Sequence, residues 1–299
     1  DQRGWMAANC RRYIVWHIPT AVPLPGRGRF WRFFERTIFM LFDTHAHMDD
    51  RAFDIDREEL LSRGLPNAQI GLLMNPGCSL ASSRAASQLS REYPYVYAAV
   101  GSHPDAADEV DGAVLDVYRG LCRENPKIKA IGEIGLDYHY EDIPRDIQQR
   151  AFRLQMELAR ELELPVIVHE REAHQDGMQI VMDFPQVRGV FHCFSGSAEM
   201  AKWLVDRGYY VGFTGVLTFR NARRALEAAA AVPRDRVVIE TDCPYMSPEP
   251  FRGKRNDPTK LYRMAQALGD LWGIPAEEAQ AITYENGKRL YRIGGESIC

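Results

Sequence analysis

No stretch of the 299 residues approaches the ~20 consecutive apolar residues that a membrane-spanning helix needs. No charged start followed by an apolar run and a small-residue cleavage site is present, so no signal peptide is expected. Six cysteines (Cys10, Cys78, Cys122, Cys193, Cys243 and Cys299) are scattered and none falls in CxxC. That excludes a zinc knuckle and a thioredoxin-type motif, and predicts a reduced, cytoplasmic chain without a disulfide framework. The net charge of −4 shows no global excess of positive charge for nucleic acid or an anionic membrane. It leaves room for a phosphate-bearing substrate, because bound cations can supply positive charge locally. No GxGxxG follows the first apolar stretch, so nothing marks a dinucleotide crevice or calls for an organic cofactor. Internal repeats and low-complexity segments are also missing.

Hydrophobic content of 45% and charged content of 26% describe an ordinary globular chain, long enough for one α/β barrel of ~250 residues. Residues 1–39 differ from the rest. They carry Arg3, Arg11, Arg12, Arg27, Arg29, Arg32 and Arg36 against Asp1 and Glu35, and three of the five tryptophans. They read as an irregular extension, or a mis-assigned start, outside a single folded domain spanning 40–299. A basic nucleic-acid-binding arm is the rival reading, and the tryptophans speak against it.

From Met40 onward, short apolar runs alternate with helical patterns. Strands are predicted at Leu41, Ile70–Asn75, Tyr95–Gly101, Lys129–Glu133, Pro165–His169, Gly189–His192, Tyr209–Phe213 and Val237–Thr241. Their starts recur every ~20–35 residues, the length of one β/α unit. They are apolar throughout rather than alternating, as in a parallel sheet covered on both faces. Ile147, Ala151, Leu154, Leu158 and Leu162 paint one face of the clearest helix. The fold class is therefore α/β, a (β/α)8 TIM barrel, with an open doubly wound sheet as the rival.

In such a barrel the active site lies at the carboxyl ends of the strands, and the distinctive polar residues fall there. The stretch LFDTHAHMDD delivers Asp43, His45 and His47 at every second position, which would project two imidazoles and a carboxylate together. His103 follows the third strand, in GSHP. Glu133 ends the fourth, His169 the fifth and His192 the sixth. Asp242, sharing a face with Glu240, ends the eighth. A lone histidine at a strand end is usually a satisfied hydrogen-bonding group. Four histidines and two carboxylates on one rim are a different matter. A single catalytic zinc takes about three protein ligands plus water. The set His45, His47, Glu133, His169, His192 and Asp242 thus predicts two divalent metal ions, with Glu133 the bridge. Mg, Mn, Zn and Co all suit mixed N/O donors. His17, His139 and His174 are out of register and read as solvent-facing or local.

The segments DTHAH, GSHP, GEIGLDY, VIVHEREAH, GVFHCFSGS, ETDCPYMSP with FRGKRNDP, and TYENGKRLY resemble the TatD family of metal-dependent deoxyribonucleases, in the amidohydrolase-like superfamily. The resemblance runs from about Met40 to the end. It implies a (β/α)8 barrel whose divalent metal centre hydrolyses phosphodiester bonds in DNA, with single-stranded or 3′-end substrate. The family's ligands carry over onto the same six residues. His45, His47 and Asp242 would hold one ion and His169 and His192 the other. Asp242 would also accept the proton of the attacking water. His103 would touch a phosphate or protonate the leaving oxygen, or simply hold its loop. Arg171 would reach a phosphate or a neighbouring carboxylate. Arg252, Lys254 and Arg255 form a basic loop that could steer a strand. Tyr138 and Tyr245 could stack on a base. The alternatives are hydrolysis of a C–N or carboxylic-ester bond, including an aminoacyl ester on transfer RNA, and a decayed, non-catalytic barrel. Many relatives in the superfamily place a modified lysine on the fourth strand, where this chain has Glu133. All six ligand positions are filled, which argues against decay.

Overall fold

The computed structural model describes residues 16–22, 32–38, 40–140 and 142–294. The chain divides into two units, 1–39 and 40–299. In the first, the strands Trp16–Val22 and Arg32–Ile38 pair antiparallel, Trp16 opposite Ile38. The calls on the remaining residues of 1–39 lie outside the described residues.

The second unit is built on eight parallel strands: β1 (Leu41–Asp43), β2 (Ile70–Pro76), β3 (Val96–Val100), β4 (Ile128–Asp137), β5 (Val166–Arg171), β6 (Gly189–Phe191), β7 (Tyr210–Phe213) and β8 (Val237–Ile239). They pair in sequence order, each with the next, as a (β/α)8 barrel requires. The seam between β8 and β1 is closed by backbone bonds from Thr44 to Ile239 (3.3 Å), from Asp242 to His45 (2.9 Å) and from His47 to Cys243 (3.0 Å).

Each strand sends alternate side chains to opposite faces, and the core divides accordingly. Phe42, Met74, Ala99, Ala130, Ile167, Val190, Tyr210 and Val238, one from each strand, pack together as the filling of the barrel. Leu290, Tyr291 and Ile293 belong to the same cluster, and the Tyr291 hydroxyl donates to the carbonyl of Thr44 at 3.0 Å. The neighbouring residues Leu41, Leu73, Val100, Ile131, Val168, Phe191, Val211 and Ile239 join the larger core.

That larger core lies under the helices α1 (Leu80–Glu92), α2 (Gly112–Glu124), α3 (Arg145–Leu162), α4 (His174–Asp183), α5 (Ala198–Asp206), α6 (Arg223–Ala231), α7 (Tyr262–Trp272) and α8 (Ala276–Leu290). Between β1 and β2 only short helical turns run, over Arg51–Phe53 and 57–67. None of the described helices is long and apolar enough to cross a membrane. The cysteines Cys78, Cys122, Cys193 and Cys243 are free.

Helix α3 packs with its expected face inward and buries more besides. Ala151 and Leu158 are buried, Ile147, Leu154 and Leu162 are partly buried against the core, and Gln148, Phe152, Gln155, Met156 and Ala159 are buried beside them. Two of these additions are glutamines, which hydropathy gives no reason to place inside. The Gln148 amide accepts from the backbone N–H of Asp137 (2.9 Å) and donates to its carbonyl (2.9 Å). The Gln155 amide accepts from Ser102 N–H (2.8 Å) and donates to the Ser102 carbonyl (3.0 Å). The helix thus clamps the backbone at the ends of β4 and β3, beside Asp137 and His103.

Candidate metal centre

Strands β4 and β5, which carry Glu133 and His169, and the loops leaving β1, β6 and β8, which carry His45, His47, His192 and Asp242, bring the six expected residues together. Glu133 is at the middle of them and is buried. Its Oε2 lies 3.1 Å from His45 Nε2 and 3.5 Å from His47 Nε2. Its Oε1 lies 2.9 Å from His169 Nδ1 and 2.7 Å from His192 Nε2. The imidazole nitrogens within each pair face one another, at 3.0 Å for His45 and His47 and 3.2 Å for His169 and His192. Asp242 Oδ1 is 3.5 Å from His47 Nε2 and 3.8 Å from His45 Nε2. The His45 and His192 rings stack with centroids 3.9 Å apart and planes 7° from parallel.

These residues fit a metal. Ligands about 2.0–2.1 Å from one ion at tetrahedral angles stand ~3.3 Å from each other. The measured separations of 2.7–3.8 Å bracket that value. Groups able to hold an ion are formed by His45, His47 and Glu133, by His45, His192 and Asp242, and by His103, Glu133 and His169.

The electrostatics follow from crowding charges in a buried site. Burial disfavours the Glu133 carboxylate, but the charges of His192 and His45 and the bonds from His169 and His192 outweigh it and hold its pKa well below the usual range. Asp242 is held down in the same way, against burial, by His47 and His192. His169 is lowered by burial, yet Asp137 and Glu133 raise it to about 9. Burial and the neighbouring His192 push His45 down to about 4.

Several partners of these ligands carried no sequence signal. Asp137 Oδ2 takes the far nitrogen of His169, Nε2, at 3.0 Å, and its Oδ1 accepts from the backbone of His139 at 2.9 Å. A carboxylate behind a ligating histidine fixes its tautomer and ring orientation. Cys78 Sγ is 3.6 Å from His47 Nδ1 and 3.7 Å from Glu133 Oε2, with its thiol pushed up to about 12 by burial. Only position within GEIGLD and NPGC could have suggested either.

Two carboxylates expected to face the centre do other work. Asp43 accepts from both the backbone N–H (2.9 Å) and the hydroxyl (2.5 Å) of Thr241, pinning the end of the first strand to the segment that leaves the eighth. Glu240 is buried and accepts from the Cys193 N–H at 2.5 Å; its nearest oxygen is 3.8 Å from His192 Nδ1. It fits there because residue 212 is glycine: a Cβ on Gly212 would lie 2.7 Å from Glu240 Oε2. The shared face expected for Glu240 and Asp242 fails because β8 ends at Ile239 and Asp242 adopts a left-handed conformation, φ +52°.

The outer residues sort as follows. His103 points Nε2 at Glu133 Oε1 (3.7 Å), while Asp105 takes its Nδ1 at 2.8 Å. The Arg171 guanidinium lies over the Tyr140 ring, 5.2 Å from its centroid, and its charge helps lower Asp137. Arg255 is engaged elsewhere: it makes two bonds to Asp56 (2.8 and 2.5 Å), another to the Ala52 carbonyl (2.6 Å), and covers Phe53. Arg252 and Lys254 are exposed, Arg252 lying over Phe219. The Tyr138 hydroxyl is taken by Asp176 (2.7 Å) and Gln149 (2.9 Å), and Arg145 covers its ring. Tyr245 is 59% exposed, three residues past Asp242. His139 and His174 pair locally with Glu172 and Glu170. The side chain of His17 lies outside the described residues.

The family model for TatD related DNase matches residues 42–292. An uncharacterized metal-dependent hydrolase of Bacillus subtilis, YabD, is 40% identical over 85% of this chain and 100% of its own length. The 3′-5′ ssDNA/RNA exonuclease TatD of Salmonella typhimurium is 30% identical over 85% of this chain and 99% of its own. The crystal structure of YJJV, a TatD homolog from Escherichia coli, superposes with a TM-score of 0.79 at 30% identity, covering 85% of this chain and 98% of that one. With its barrel and its buried cluster of histidines and carboxylates, the chain belongs to the TatD related DNase family and is a metal-dependent hydrolase.

Proposed function

We propose that this chain is a two-metal nuclease that removes nucleotides from the 3′ end of single-stranded DNA. The observation that carries the reading is the division of Glu133, with one oxygen toward His45 and His47 and the other toward His169 and His192. Two cations sharing one carboxylate suit that division, with Asp242 completing the first set. Bound there, divalent ions would activate a water and neutralise charge on a phosphoryl oxygen. The protein's own residues then orient the reaction. Asp242 Oδ2, which has no hydrogen bond from another described residue, is the acceptor we assign for the proton of the attacking water. His103 Nε2, on the far side of Glu133, is the group we assign to the leaving oxygen. The 3′ polarity and single-stranded substrate rest on the activity for which the Salmonella relative is named.

The test is metal analysis of the purified protein together with digestion of end-labelled single-stranded DNA in Mg, Mn, Zn or Co. Two ions per chain and metal-dependent release of nucleotides from the 3′ end are expected. Glu133→Gln should lose ~10³-fold or more of the activity with its melting curve intact. Cleavage of aminoacyl esters or small amides in place of DNA would overturn the reading.

A further inference from the structure

A cleft of about 250 Å³ opens beside the centre, between the loops that follow β3 and β4. It is lined by His103, Asp105, Asp137, Tyr140, Asp142 and Ile143. Two of these residues also touch the centre: His103 through Glu133 and Asp137 through His169. A substrate whose scissile phosphate sits on the six-residue cluster therefore places its next group here.

Two features say what that group is. The first is Tyr140, 58% exposed, whose hydroxyl has no hydrogen-bond partner among the described residues. An exposed aromatic ring beside Ile143 offers a surface for a base, whatever its identity. Arg171 and His139 already meet the Tyr140 ring, yet it stays 58% exposed, whereas Tyr138, two residues earlier, has its hydroxyl bonded to Asp176 and Gln149 and its ring under Arg145. The second feature is charge. Asp105 and Asp137 line the cleft paired with His103 and His169, Arg171 stands over Tyr140, and Asp142 is the lining carboxylate with no partner among the described residues, while Arg252 and Lys254 lie in the loop after β8, three to four strands away. A polyanionic strand is favoured on the basic side, and a group without phosphate on the acidic side.

We infer that the cleft is the seat of the terminal nucleoside, its base stacked on Tyr140 and its chain end a free hydroxyl rather than a phosphate. This rests on the nuclease reading above. It adds where the departing nucleotide sits, that the base is held without sequence preference, and that a 3′-phosphate is refused.

The test uses full-length protein with bound metal and three single strands: one with an intact 3′-terminal nucleotide, one whose terminal nucleotide lacks its base, and one ending in a 3′-phosphate. Wild type should cut the intact end about 5- to 100-fold faster than the abasic end. Tyr140→Ala should lose that preference by slowing only on the intact strand, and Tyr140→Phe should keep it. The 3′-phosphate strand should be cut more slowly, and Asp142→Asn should narrow the gap. Equal cutting of intact and abasic ends by wild type, or equal slowing of both by Tyr140→Ala, overturns the seat and leaves the nuclease reading standing. Equal rates on hydroxyl and phosphate ends overturn the orientation. A wild type that cuts none of the strands overturns the nuclease reading and the seat with it.

Discussion

Replacing Asp137 by asparagine tests whether the ligand shell is set from behind. In the native chain the Asp137 carboxylate is buried and held at both oxygens: Oδ1 by the His139 N–H (2.9 Å) and Oδ2 by His169 Nε2 (3.0 Å). The carboxylate requires a proton on Nε2, which leaves Nδ1, the nitrogen facing Glu133, free to bind an ion. An asparagine of the same shape must still offer its oxygen to His139 N–H, so its amide NH₂ turns toward His169. That NH₂ is a donor and favours a bare Nε2. The proton moves to Nδ1 and blocks the lone pair a metal needs. Losses of a carboxylate behind a ligating histidine typically cost 10- to 100-fold in metal affinity, or about 1.4–2.8 kcal/mol. Calorimetric titration of the chelator-stripped protein with Mn or Zn measures it directly. The expected result is a weaker dissociation constant for Asp137→Asn with an unchanged melting curve in metal-free buffer. An unchanged dissociation constant would refute the argument that Asp137 sets the tautomer.

Arg255→Ala should lower the melting temperature by about 2–4 °C, because a half-exposed pair with Asp56 contributes ~1 kcal/mol; an unchanged melt would show the strut idle. The double variant Arg252→Ala, Lys254→Ala should melt as the parent does. Its binding to single-stranded DNA should weaken most at low salt, with the log–log salt slope reduced by about 1.4; an equal slope would remove both from the strand's path. A further prediction concerns pH in the metal-free protein. Burial pushes the Asp43 carboxyl from 3.8 up to about 7, against the bonds from Thr241 that pull it down. The folded chain keeps a proton there that the unfolded chain has released. This group's stabilisation is therefore complete below pH ~4 and lost as pH rises through ~7, a change of about 4 kcal/mol. Urea melts from pH 4 to 8 should show a shallower fall for Asp43→Asn than for the parent, and parallel curves would rule out a buried proton.

What the sequence made legible is what local chemistry alone determines. Parallel strands buried on both faces read as apolar runs, and all eight were found at their places. The histidines at strand ends stood out because an imidazole breaking such a run has few reasons to be there. What stayed hidden depends on residues far apart in the chain. Cys78 meets His47 across 31 positions and Asp137 meets His169 across 32. No periodicity links such pairs. The buried glutamines of α3 went unread because amides that are fully bonded count as polar in any hydropathy pattern. Alternation misled at Asp43 and Glu240 for a single reason. Period two holds only while the strand lasts, and these residues stand at or just beyond strand ends.

Glu133 shows how a strand can be made to carry a residue out of that period. It was expected at the end of β4, but β4 runs on to Asp137. Between the pairs Ile131–Val166 and Ile134–Val168, three steps on β4 face two on β5, so one extra residue is accommodated there. A bulge of this kind bends the strand and re-aims a side chain. Its two flanking glycines are what the packing permits. A Cβ on Gly132 would lie 2.6 Å from Ile167 Cβ, and one on Gly135, at φ +146°, would lie 1.9 Å from the His169 carbonyl oxygen. Both contacts are with β5, the strand that carries His169. The motif GEIG therefore holds its carboxylate by pressing bare backbone against the neighbouring strand on either side of it. The two glycines and the glutamate work as one unit, because the close approach to β5 is what brings Glu133 Oε1 within 2.9 Å of His169 Nδ1.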